Sequence, residues 1–161
     1  MQLTLDMVSD LIGTITNSTT PAAAYSALDA LIDRLFQRKL FTILRYVPAD
    51  EEVERLFSSN AGSYEPRGRK KKANTVWGVE VYDKGNVLIS NDENDIRVNF
   101  PDHETIIGLG IGGMINMPLV WHGRVIGSMN ISQDAGAFSQ DDIPELKMLA
   151  GLIAPIAGHD V

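Results

Sequence analysis

Residues 114–120 (MINMPLV) and 124–132 (RVIGSMNIS) flank His122-Gly123, and no other feature restricts the fold of this chain as tightly. A glycine-containing two-residue turn between two β-prone runs predicts a hairpin. With that turn Trp121 faces Arg124, Val120 faces Val125, and pairing continues in step along the ladder. On this register Ile115, Met117 and Leu119 share one face with Ile126, Ser128 and Asn130. Met114, Asn116, Pro118 and Val120 share the other with Val125, Gly127, Met129 and Ile131. Both faces are largely apolar, so both require cover, and the hairpin belongs in the centre of a sheet. Side chains alternate along a strand, so Asn116 and Asn130 point to opposite faces unless a bulge intervenes. Only one of them then looks into any single cavity.

The flanking sequence supplies partners for that sheet. Residues 40–47 (LFTILRYV) and 53–58 (VERLFS) surround Pro48-Ala49-Asp50 and read as a second hairpin, and 86–90 (NVLIS) as a short strand. Helical periodicity marks three segments. In 3–15, Leu3, Met7, Val8, Leu11, Ile12 and Ile15 recur on one helix face. After a break at 17–20, Thr20 is placed to cap a helix with Pro21 in its first turn, and Ala24, Leu28, Leu31, Ile32, Leu35 and Phe36 form its apolar stripe. The last helix starts between Ser139 and Asp142 and carries Ile143, Leu146, Leu149, Ile153 and Ala157, with Pro144 confined to the first turn. Strands adjacent in sequence imply an antiparallel sheet, and helices gathered at the chain ends imply that they cover one face of it. The class is α+β.

A length of 161 residues suits a single domain. The chain contains no cysteine, which excludes disulfides, thiolate metal sites and a cysteine nucleophile. A net charge of −7 opposes broad nucleic-acid binding and adsorption to anionic membranes. No apolar run approaches the ~20 residues of a membrane span. The first ten residues carry Asp6 and Asp10 and no Lys or Arg, unlike a signal peptide. These features set the expectation of a cytoplasmic protein. Charge is unevenly spread: 65–72 (EPRGRKKK) is locally +4, whereas 92–104 (DENDIRVNFPDHE) is locally −4. The two stretches are either solvated loops, or face each other or line an anion-binding mouth.

Candidate chemistry is sparse. Residues 108–113 (GLGIGG) satisfy G-x-G-x-x-G, but they lead into a strand and not a helix, which argues for a flexible loop rather than a dinucleotide site. Three histidines, two of them in a turn and a tail, leave no histidine-rich metal site, and no serine sits in a nucleophile elbow. Asp102-His103-Glu104 is the one cluster with acid–base potential: either Asp102 caps a helix starting at His103, or His103 projects into a cavity. Trp77 suits the core or a cavity wall, and Tyr64 suits either a pocket roof or an exposed loop.

The order of elements, with "RLFSSNAGSYEPRGRKK", "TVWG", "FPDHETIIGLGIGGMINMPLV", "HGRVIGSMNIS" and a helix after "FSQDD", resembles a GAF domain. The N-x-P…G-x-V-x-G-x-x-N arrangement of Asn116, Pro118, Gly123, Val125, Gly127 and Asn130 carries most of the likeness. It spans residues 20–157, leaving 1–19 as an N-terminal helix and candidate dimer contact, and 158–161 as a tail. The resemblance implies a central antiparallel sheet, terminal helices on one face and a loop-roofed pocket on the other. It further implies a small-molecule-binding sensory or regulatory domain, a stand-alone homodimer through its terminal helices. No cofactor is specified. The family's methionine-R-sulfoxide reductase branch and its covalent bilin carriers both need cysteines, which this chain lacks, and no clear cyclic-nucleotide motif is present. The resemblance turns Ser128, Asn130 and Ser132 toward the pocket and leaves Asn116 facing the opposite layer. The expected ligand contacts are Tyr64, Arg69, Lys70, Trp77, His103, Asn130 and Ser132, with Arg69 or Lys70 pairing an anionic group. No catalytic or metal-binding residue is assigned. The alternatives are a metal-free acid–base enzyme centred on Asp102 and His103, and an interaction module with a collapsed pocket.

Overall fold

Thr4 and Thr20 each open a helix by accepting a backbone N–H through the side chain, from Met7 and Ala23 respectively. In the computed structural model, which describes residues 1–160, these helices are α1 (Leu5–Asn17) and α2 (Pro21–Phe36), with Pro21 at the first helical position as expected. The strands are β1 (Leu40–Val47), β2 (Glu52–Ser58), β3 (Arg69–Lys71) and β4 (Leu88–Ser90), followed by the short helices α3 (Glu93–Asn99) and α4 (His103–Gly108). The central hairpin is β5 (Gly113–Trp121) and β6 (Arg124–Gln133), and α5 (Ile143–His159) closes the chain. Ser139 forms a reciprocal capping box with Asp142 immediately before α5, and Pro144 lies in its first turn.

The six strands pair antiparallel in the order β3-β2-β1-β6-β5-β4, which gives the expected α+β class with β5 and β6 inside the sheet. One face carries Phe41, Ile43, Ile115, Met117, Met129 and Ile131 into a core with α1, α2 and α5. The other carries Leu40, Leu44, Val53 and Met114 into a second core, built with Trp77, Val81, Tyr82, Ile96, Phe100 and Ile106. The segment holding Trp77 is helical: Gly78–Asp83 forms a π-helical turn that lies over β6.

Two features depart from the sequence reading. The His122-Gly123 turn forms, with left-handed φ values of 50° and 73°, and Val120 faces Val125. Beyond that pair Leu119 faces Gly127, so Ile126 is an extra residue, a β-bulge. Every residue of β6 after Ile126 is therefore shifted by one relative to β5, and Asn116 faces Asn130 on the same side of the sheet. The bulge corrects both the expected register and the placement of Asn116 in the opposite layer. Second, Gly158 and His159, expected in a tail, form the last turn of α5, and Asp160 is buried beneath it. Val161 lies outside the described residues.

Candidate functional site

The bulge places three polar side chains of β6 on the face opposite the terminal helices. Ser128, Asn130 and Ser132 are all buried there, joined by Thr42 of β1 and Asn116 of β5. Most of them floor a cavity of about 40 Å³, together with Leu40, Leu44, Ile111 and Met114. The opposite side is made by Tyr64, Lys70, Trp77, Phe100, Asp102 and Ile106, with Arg55 reaching in from β2. A volume of 40 Å³ is well below the ~300 Å³ of a usual ligand site, although it exceeds the ~10–15 Å³ that one water requires.

The polar floor is ordered by side-chain hydrogen bonds. Asn116 Nδ2 donates to Asn130 Oδ1 at 2.9 Å, and Asn130 Nδ2 donates to Thr42 Oγ1 at 3.2 Å. Opposite them, Lys70 Nζ stands 4.5 Å from the Trp77 ring centroid and 3.5 Å from Asp102 Oδ2. Burial lowers the proton affinity of Lys70, while the Asp102 charge partly offsets this. The Arg55 guanidinium lies 4.9 Å from the Tyr64 ring centroid. Burial, helped by the nearby Asp102 charge, pushes the Tyr64 phenol up to about 12. Among the described residues, six buried side-chain polar atoms have no hydrogen-bond partner, and four of them line this one cavity: Arg55 Nε, Tyr64 Oη, Asp102 Oδ1 and Asn116 Oδ1. Such atoms are costly to bury unpaired and scarce in folded proteins, so their convergence marks the site.

Five of the seven expected contacts line the cavity: Tyr64, Lys70, Trp77, Asn130 and Ser132. Trp77 is both core and wall, 2% exposed and packed edge-on to Tyr82 at 5.2 Å. Arg69 is not in the site. Strand alternation sends it to the far face of β3, where it pairs with Glu54 at 3.1 Å and with Asp50 at 3.3 Å. His103 does not line the cavity either, and its Nδ1 is buried without a partner. Asp102 occupies the cap position of α4 but makes no capping hydrogen bond; its carboxylate faces the cavity beside Lys70. The rest of the basic run is spent in ion pairs, Arg67 with Glu54 and Asp160 and Lys72 with Asp83. Lys70–Asp102 is the pair that joins the basic stretch to the acidic one. Sequence reasoning missed Arg55, Thr42 and Asn116. Alternation along 53–58 was the available signal for Arg55, whereas nothing local marked Asn116.

A model of the GAF domain matches residues 19–156. Among curated proteins, none matches the chain in sequence. In structure the chain is similar to the GAF domain of an Acinetobacter phosphoenolpyruvate-protein phosphotransferase, at 12% identity and a TM-score of 0.76, covering 96% of this chain and 92% of that one. It is also similar to the Coxiella burnetii counterpart at 14% identity and a TM-score of 0.77, covering 96% and 92%. The free methionine-R-sulfoxide reductase of Neisseria meningitidis, solved with its substrate, aligns at 16% identity and a TM-score of 0.72, covering 98% and 95%. At these identities the likenesses concern the fold. No helix of the described residues is long and apolar enough to cross a membrane. The match over residues 19–156, on a sheet with terminal helices behind it and a polar cavity before it, shows that the chain belongs to the GAF domain family.

Proposed function

We propose that this protein is a non-catalytic, cytoplasmic GAF domain of sensory or regulatory type that binds a small molecule in the cavity between Asn116–Asn130 and Lys70–Asp102. The observation that carries this reading is the convergence of four unpaired buried polar atoms on one cavity. Arg55 and Lys70 supply positive charge for an anionic group, while Asp102 Oδ1 and Asn116 Oδ1 await donors from the ligand. Trp77 and Tyr64 supply apolar walls. The cavity volume calls for a ligand of few atoms or for an outward movement of the Tyr64 loop. Self-association through the terminal helices is part of the same proposal.

The test is a thermal-shift series with small carboxylates, phosphates and amino acids. A specific ligand at about a hundred times its Kd should stabilise the fold by ~2.7 kcal/mol, and Lys70→Met should cut that to ~1.4 kcal/mol or less at the same concentration. A series in which no compound stabilises the protein sinks the reading. The 40 Å³ volume favours a second one, an interaction module whose closed pocket serves only as core. An acid–base enzyme built on Asp102 and His103 has less support, because only Asp102 faces the cavity.

A further inference from the structure

At the outer edge of β5, under α5, lies a second cavity of about 410 Å³ that shares no lining residue with the polar one. It exists because β4 pairs with β5 only as far as Leu88–Asn116, which leaves Met117–Trp121 without a strand on that side. Pro118 brings no N–H to the free edge, so a further strand finds no donor there. Ile143, Lys147, Ala150 and Gly151 roof the gap from one face of α5, at the i, i+4, i+7, i+8 spacing. Ala150 and Gly151 are too small to fill the space, and a Cβ on Gly151 would meet nothing within 4 Å. Val87, Met117 and Val120 complete the walls, and Val120, 47% exposed, stands at the mouth.

Lys147 Nζ is the one nitrogen or oxygen that a lining side chain offers, and no carboxylate lines the cavity. Lys39, Lys70, Lys71, Lys72 and Lys84 each form a salt bridge, whereas Lys147, the remaining lysine, forms none among the described residues. The volume falls within the ~300–1,000 Å³ of small-molecule sites. Apolar walls without an aromatic ring match an alkyl chain, and a single unengaged cation matches one terminal carboxylate. We infer that this cavity is a second ligand site, for an aliphatic monocarboxylate whose chain lies beneath Ala150 and Gly151 and whose head group meets Lys147. The site goes beyond the reading given for the polar cavity and does not depend on it.

Decanoate, titrated by calorimetry below the concentration at which it aggregates, should bind saturably. It should bind about threefold more tightly than decanol, the scale of one exposed ion pair. Amide NMR shifts should change at Met117, Val120 and Ala150 and stay fixed at Lys70 and Trp77. Lys147→Met should erase the preference for decanoate while binding decanol as the parent does. Gly151→Leu fills the cavity and should weaken decanoate at least about tenfold. It replaces an exposed helical glycine, so stability in urea should not fall. If it does not fold, Val120→Glu, which sets a carboxylate at the mouth, should weaken decanoate at least about threefold. Absence of saturable binding, shift changes centred on Trp77, or a preference that survives Lys147→Met each overturns the site. A dimer in sedimentation that takes up no decanoate assigns the cavity to a second copy of the chain and likewise overturns it.

Discussion

Lys70 holds its ammonium 4.5 Å from the centroid of the Trp77 ring. The two residues come from different elements, an edge strand and the helical segment that covers the sheet. The tryptophan face offers the cation an attractive quadrupole, a contact of about 0.5–2 kcal/mol depending on desolvation. This holds the Lys70 amine inside the cavity between the ring and the Asp102 carboxylate 3.5 Å away. A ligand anion would meet a group that these two contacts have already positioned.

Lys70 and Arg69 should therefore behave differently. For an anionic compound identified in the thermal-shift series, Lys70→Met is expected to weaken binding at least about tenfold, the scale of one charged hydrogen bond. Arg69→Ala should leave affinity within about twofold, because its guanidinium lies on the opposite face. Isothermal titration of both variants measures the contrast.

Gly127 should tolerate no side chain. A Cβ there would lie 2.1 Å from the Leu44 carbonyl oxygen, which is backbone held in a paired strand. Gly127→Ala is expected to cost at least about 3 kcal/mol in urea unfolding, or to abolish folding.

The Asn116–Asn130–Thr42 chain should contribute to stability. Asn116→Ala leaves Asn130 Oδ1 buried without its donor, a loss of about 1–3 kcal/mol in urea unfolding. A variant as stable as the parent would show that water readily replaces the missing donor.

Glu54 should give the protein an acid-sensitive step. Burial raises its affinity for a proton, but hydrogen bonds from Arg67, Arg45 and Arg69 outweigh this and hold the carboxyl below its usual value. A depressed carboxyl stabilises the fold above the unfolded-state value near 4.5, and that stability is lost as pH falls through the folded-state value. Unfolding free energies measured from about pH 6 down to about pH 3 should fall more steeply for the parent than for Glu54→Gln.

Local signals were legible. Thr20 with Pro21, the Ser139 cap and the His122-Gly123 turn each declare a boundary through the chemistry of one or two neighbouring residues. Tyr64 and Trp77 were found because aromatic residues beside polar loops have few alternatives to a wall or a roof. What escaped was set at long range. The bulge at Ile126 coincides with the close approach of Gly127 to Leu44 on another strand, so no property of the hairpin alone announced it. The choice of Lys70 over Arg69 depends on how β3 docks against Glu52–Glu54. The inward turn of the Asp102 carboxylate follows from the cation it meets there, not from its helix position.

That one surplus residue controls the chemistry of the cavity from outside it. Were Ile126 paired into the ladder and not bulged out of it, Ser128, Asn130 and Ser132 would turn toward α5, and Met129 and Ile131 into the cavity. The hydrophilic character of the pocket is thus a matter of phase along the ladder, stored beside the turn of a hairpin. Substitutions of the lining residues sample only the amplitude of that pattern. A one-residue slip of the ladder would invert it, whereas excision of Ile126 would not, because Gly127 already faces Leu119.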